Sequence, residues 1–142
     1  MSKIKMFCIT TLAILIFPVL TVAQDFDGSK PLICAIVEIN ECAPGADCLK
    51  GIARDFNFPQ FLKINFKDKT LVGKFQNQRL QTSPIEKVES QNGNLILHGS
   101  QNGRAWNIVI SQTTGEMTGT IAANGFSFTV FLPSSVRVVN II

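Results

Sequence analysis

The chain has 142 residues, of which 46% are hydrophobic and 16% charged, with 11 Phe, one Trp and no Tyr. Its 13 basic and 10 acidic residues give a formal charge of +3, too weak for the strongly basic face of a nucleic-acid binder. The length suits one domain, the apolar fraction excludes a disordered chain, and a single His removes most histidine-based chemistry.

Residues 1–23 read as a secretory signal peptide. Lys3 and Lys5 form a short positive region, an apolar run follows from Met6 to Leu20, and Thr21-Val22-Ala23 supplies the small residues of a cleavage site. The run is interrupted by Thr10, Thr11 and Pro18 and falls short of the roughly 20 apolar residues that span a bilayer. A lipoprotein needs Cys directly after the cut, whereas Gln24 follows Ala23. The expected product is a single β domain, residues 24–142, secreted or periplasmic and without a membrane span after cleavage. Cleavage also removes two lysines and Cys8, which moves the charge toward neutrality and leaves Cys34, Cys42 and Cys48.

Export to an oxidising compartment makes disulfides the default reading of cysteine pairs. Cys42 and Cys48 flank a segment that contains the turn formers Pro44 and Gly45, so the expected bond is Cys42–Cys48. Cys34 is then unpaired, either a buried apolar thiol or a link between chains; Cys34–Cys42 and Cys34–Cys48 are the alternative pairings. A metal site is not expected, because no C-x2-C pair exists and the single His98 lies far along the chain. Residues 40–59 read as a disulfide-tied loop. Leu49, Ile52, Ala53 and Phe56 are spaced like a short helix face, Gly51 weakens that helix, and Pro59 ends it.

A strand is expected over 31–39, and from Phe61 onward the hydrophobic period is two. Leu62, Ile64 and Phe66 alternate with Lys63 and Asn65, and Trp106, Ile108 and Ile110 alternate with Asn107 and Val109. The same rhythm runs through Leu71 to Phe75, Met117 to Ile121 and Phe126 to Val130. Such alternation marks half-buried antiparallel strands. Asn92-Gly93, Asn102-Gly103 and Asn124-Gly125 suit tight hairpin turns. Further strands are expected over 60–66, 70–76, 85–90, 94–99, 104–111, 116–123 and 126–132. The 85–90 segment fits least well, since Ile85 and Val88 do not share a face of a regular strand. The β-branched tail after Pro133 reads as a last strand docked on the sheet.

About eight strands with no long amphipathic helix to cover them must curl or fold upon themselves. The expected fold is all-β, an antiparallel meander forming a small closed or partly open barrel. A barrel of this size is filled by side chains or holds one small ligand. The Phe residues within expected strands, Phe61, Phe66, Phe75, Phe126, Phe128 and Phe131, suit either a core or a pocket.

Catalytic constellations are sparse. A Ser-His-acid arrangement would need His98, which lies on the strand face opposite Leu95 and Leu97. The carboxylates Glu38, Glu41, Glu86, Glu89 and Glu116 have no fixed separation, and phosphate-binding glycine loops are absent. Asp25-Phe26-Asp27-Gly28 resembles the start of a calcium loop but lacks the remaining ligands. No cofactor is expected. The most distinctive stretch is Asn102-Gly103-Arg104-Ala105-Trp106. Arg104 and Trp106 project to one side of a strand, suited to a cation–π pair, and form a candidate recognition patch at a barrel mouth; the plainer alternative makes Trp106 a core anchor.

Five stretches carry a resemblance: Pro31-Leu32-Ile33-Cys34-Ala35, Cys42 through Cys48, Phe58-Pro59-Gln60-Phe61, Gln101 through Trp106, and Thr114-Gly115-Glu116-Met117. Over roughly 31–131 the chain resembles a family of small exported bacterial proteins of unknown function. The family's last strand runs into a Gly and a final Cys, whereas Phe131 is followed here by Leu132-Pro133-Ser134. The resemblance implies neither an activity nor catalytic residues. The leading functional expectation is non-catalytic binding of a small apolar ligand or a protein partner. A structural or envelope-maintenance protein with a filled core is the alternative, and a hydrolytic enzyme the third.

Overall fold

In a computed structural model, residues 26–132 are described; residues 1–25, which include the segment read as a signal peptide, and the tail after Leu132, read as a last strand, lie outside them. The fold is all-β. Its strands are β1 (Leu32–Ala35), β2 (Glu38–Cys42), β3 (Leu49–Gly51), β4 (Phe61–Asn65), β5 (Thr70–Lys74), β6 (Leu80–Pro84), β7 (Lys87–Gln91), β8 (Asn94–Gln101), β9 (Arg104–Ser111), β10 (Met117–Ala123) and β11 (Phe126–Leu132). One 3-10 turn, Ala53–Phe56, follows β3.

The strands form two antiparallel sheets, of order β1-β4-β5-β6 and β3-β2-β11-β10-β9-β8-β7. They are joined at two corners where the chain leaves one sheet and enters the other. At the first, the Ile36 N–H bonds the Gln60 carbonyl while the Val37 N–H bonds the Phe131 carbonyl. At the second, the Ile85 N–H bonds the Lys69 carbonyl and the Glu86 N–H bonds the His98 carbonyl. Consecutive residues thus serve opposite sheets, as corner-forming strands do. The result is a partly open barrel. Taking each cornered pair, β1/β2 and β6/β7, as one bent strand recovers the up-and-down order expected of a meander.

Three features differ from the expected elements. The single strand over 31–39 is two strands in different sheets. β6 was not anticipated, and β7 is only the second half of a bent segment. Residues 40–59 contain the short β3 as well as the 3-10 turn. Both corners coincide with a one-residue slip in which side chains face inward. Leu32, Cys34 and Ile36 give way to Ile39, and Ile85 gives way to Val88, which shares a sheet face with the buried Leu97 through their pairing but is itself 40% exposed on the edge strand. Because a one-residue slip exchanges the two faces of a strand, the poor fit of Ile85 with Val88 is the imprint of a corner.

The turns follow their residue types. Asn92-Gly93 and Asn102-Gly103 have positive φ at both positions, the geometry that two-residue hairpins favour. In Asn124-Gly125 only the glycine does.

The main core cluster gathers Leu32, Cys34, Ile64, Leu95, Leu97, Ile110 and Met117 with Ile85, Trp106 and Ile108. Burying each such aliphatic side chain contributes roughly 1.5–3 kcal/mol. A second, smaller cluster holds Ile36, Ile39, Ala53 and Val130, flanked by Phe56, Phe58 and Phe128. Leu62 packs against both. Between these clusters the barrel is not filled.

Candidate functional site

The unfilled region is a cavity of about 360 Å3, within the roughly 300–1,000 Å3 range of small-molecule sites. Its wall is built from inward positions of both sheets. β5 supplies Leu71 and Gly73, β9 Trp106 and Ile108, β10 Gly119 and Ile121, and β11 Phe128 and Val130. The segment after β3 adds Phe56 and Phe58, and Phe75 follows β5. Phe58 and Phe128 lie 5.0 Å apart between centroids, and Phe56 meets Phe128 edge-on at 6.4 Å. Spacings of this kind are favourable for aromatic pairs and fix that end of the wall.

The opposite wall is polar and comes from β6. Its inward residues are Gln81 and Ser83, while Leu80 is 64% exposed. The Trp106 indole Nε1–H donates to the Ser83 Oγ at 2.9 Å. Gln81 donates to the Gln101 side-chain oxygen at 3.3 Å, and the Gln101 amide donates to the Thr82 carbonyl at 2.7 Å. Side-chain bonds therefore close the seam between β6 and β8/β9, where no backbone ladder runs. Gly99 completes the arrangement: a Cβ there would come within 2.2 Å of the Trp106 ring. The indole lies across a position that only glycine leaves open.

At the outer end, Arg79, Gln81, Gln101 and Arg104 also line an adjoining depression of about 440 Å3 with Leu80 and Asn102. The expected patch is thus divided by depth. Trp106 is 7% exposed and forms part of the inner wall, whereas Arg104 is exposed at the rim. The cation–π contact seen among the described residues belongs instead to Arg79, whose guanidinium carbon stands 5.4 Å from the Phe75 centroid. Comparisons with protein-family models, curated proteins and solved structures return no match for the chain.

Cys42 and Cys48 are joined by a disulfide, and Cys34 is a free, buried thiol. Burial pushes the Cys34 thiol from its ordinary 9.0 up to about 12, so it stays protonated across the physiological range, in the manner of a packing residue. His98 is on the outer face of β8. It bonds the Asn107 side chain through Nδ1 and lies 3.5 Å from Glu89 through Nε2. Lys87, bonded to Glu89 at 2.7 Å, holds the Glu89 carboxyl below its usual range, with the His98 contact acting in the same direction. His98 does not line the cavity. Among the described residues, no group of His, Cys, Asp and Glu is arranged for a metal, and no helix is long and apolar enough to cross a membrane.

Arg79, Gln81 and Ser83 were not singled out in the sequence, and Phe56 and Phe58 are not among the residues read as suited to a pocket. Phe56 reads as part of a short helix face and Phe58 only as part of a stretch carrying the resemblance, because their segment has no strand period to place them. Gln81 and Ser83 are polar residues facing inward, the reverse of the pattern that reveals a strand.

Proposed function

We propose that this protein is a non-catalytic binding protein of the secreted or periplasmic space that holds a small, largely apolar ligand in its barrel. The observation that carries the reading is the cavity itself, apolar and Phe-lined on one side with a few convergent polar groups on the other, the usual make-up of a small-molecule site. A barrel meant only as a structural element gains from filling such a space, because voids forfeit dispersion contacts. The position of His98 on the outer face, bonded to Asn107 and Glu89, favours binding over hydrolysis.

The test is native mass spectrometry of protein gently isolated from its own export compartment. The expected result is a polypeptide beginning at Gln24 together with a species heavier by a bound small molecule, released on denaturation. A bare polypeptide that also takes up no added apolar probe contradicts the reading. A chain that retains residues 1–23 contradicts the export assignment.

A further inference from the structure

We propose that the ligand is an anionic amphiphile: a single apolar chain or ring system in the cavity, with a carboxylate or phosphate head group held at the mouth by Arg79 and Arg104. The proposal rests on the ligand-binding reading above and adds the chemistry of the ligand's polar end.

Arg79 and Arg104 reach the mouth from elements of different sheets, on the two sides of the seam that Gln81 and Gln101 bridge. Arg79 ends the turn from β5 into β6, closed by the Phe75 N–H bonding the Arg79 carbonyl, and Arg104 opens β9. Both line the apolar cavity and the outer depression, so a group between them is continuous with the apolar wall. Among the described residues neither has a carboxylate partner. Among the described residues the ion pairs are Lys50–Glu38, Arg54–Asp55, Lys87–Glu89 and His98–Glu89. No Asp or Glu among the described residues lines either hollow.

Two unpaired guanidinium groups at one opening repel each other and attract an anion. The chain as a whole carries 13 basic and 10 acidic residues, so its cations are mostly matched by anions in number, and a mouth lined by cations alone is a local feature. Guanidinium forks match carboxylate and phosphate oxygens in geometry. Arg79 is steadied by its place over the Phe75 ring, which lowers the ordering cost on binding. The size of the cavity limits the apolar part. Its volume of about 360 Å3 is near the lower end for ligand sites, which fits one chain and not a two-chain lipid.

The molecule carries its own reporter. Trp106 is the sole Trp, Tyr is absent, and the indole lines the cavity. The experiment titrates the full mature chain with decanol, decanoate, decyl phosphate and decyltrimethylammonium, each below its micelle concentration, and follows Trp106 fluorescence. The same titrations are run on the R79Q/R104Q double variant, with decanol as the control for an intact cavity.

The expected result is that decanoate or decyl phosphate binds about tenfold tighter than decanol or better, the scale of charge-assisted hydrogen bonds. Its affinity weakens with added salt, and the cationic probe binds no better than decanol. In the double variant decanol still binds, and the advantage of the anion over decanol, both measured on that variant, disappears. Whichever anion binds tighter distinguishes a fatty-acid-like carboxylate from a phosphorylated head group. Equal affinity for decanol and both anions, or an anion preference that survives in the double variant, overturns the head-group proposal and leaves the cavity reading standing. Failure of every probe to bind overturns both.

Discussion

The two ends of this barrel solve the same problem differently. At one end Leu32, Ile64, Leu97, Ile110 and Met117 are almost completely buried and fill the interior. At the other, Phe56, Phe58, Phe75 and Phe128 are half-buried around a space they do not occupy. Both ends are apolar, so hydrophobicity alone does not separate them. What differs is the strand opposite. The filled end faces Leu32 and Ile64 of β1 and β4, whereas the open end faces Gln81 and Ser83 of β6. Polar side chains that must keep their hydrogen bonds cannot interdigitate as aliphatic ones do, and the interior there stays open.

The sharpest way to break this contrast is truncation. Leu97→Ala at the filled end is expected to cost about 2–5 kcal/mol. Leu71→Ala on the cavity wall removes a side chain that already borders a void and should cost no more than about 2 kcal/mol. Urea midpoints of the two variants check this, and equal losses would mean that the ends are packed alike. Gly99→Ala comes next. A Cβ at that position drives into the Trp106 ring, so about 1–3 kcal/mol of destabilisation is expected from overpacking. Fluorescence should move to longer wavelength as the indole leaves Ser83; an unchanged spectrum and stability would show that the indole does not depend on that opening.

Cys34 probes the filled end without a change of side chain. Its pKa is raised in the fold, so the folded form holds its proton more tightly than the unfolded chain does. Stability linked to this group is complete below the ordinary value of 9.0 and is lost as pH rises toward about 12. Iodoacetamide at pH 8.5 should leave native Cys34 unmodified and label it fully in denaturant. Rapid labelling of the native protein would place water at the filled end. The smallest effect is expected at His98. His98→Gln removes a solvent-facing contact with Asn107 and Glu89 and should shift stability by no more than about 0.5 kcal/mol without altering ligand uptake.

The filled end was legible in the sequence because its strands alternate apolar and polar residues and are punctuated by Asn-Gly turns. Leu95, Leu97, Trp106, Ile108, Ile110 and Met117 all face inward as their spacing requires. The disulfide between Cys42 and Cys48 followed from the turn formers between them. The open end was only half legible. Phe75 and Phe128 were among the residues suited to a pocket and do line it. Phe61, Phe126 and Phe131, from the same set, are exposed: Phe61 and Phe131 take the outer face of their strands, and Phe126 shares the face of Phe128 and Val130 but sits at the hairpin end, beyond the cover of the core. β6 escaped notice because its inward face is polar and its one large apolar residue, Leu80, points to solvent. Only the second corner showed as a slip of phase, in the poor fit of Ile85 with Val88, and a slip marks a bend and not the sheet to which each half belongs; the first reads as one strand over 31–39. The strand that hid from the hydrophobic pattern is the one that builds the polar wall of the site.

The most direct measurement is methyl NMR of the protein titrated with decanol. Shifts are expected at Ile36, Leu62, Leu71, Ile121 and Val130 around the open end, while Leu32, Leu95, Leu97 and Ile110 stay unmoved. Shifts spread evenly over both ends, or none at saturating probe, would contradict a barrel that is filled at one end and open to ligand at the other.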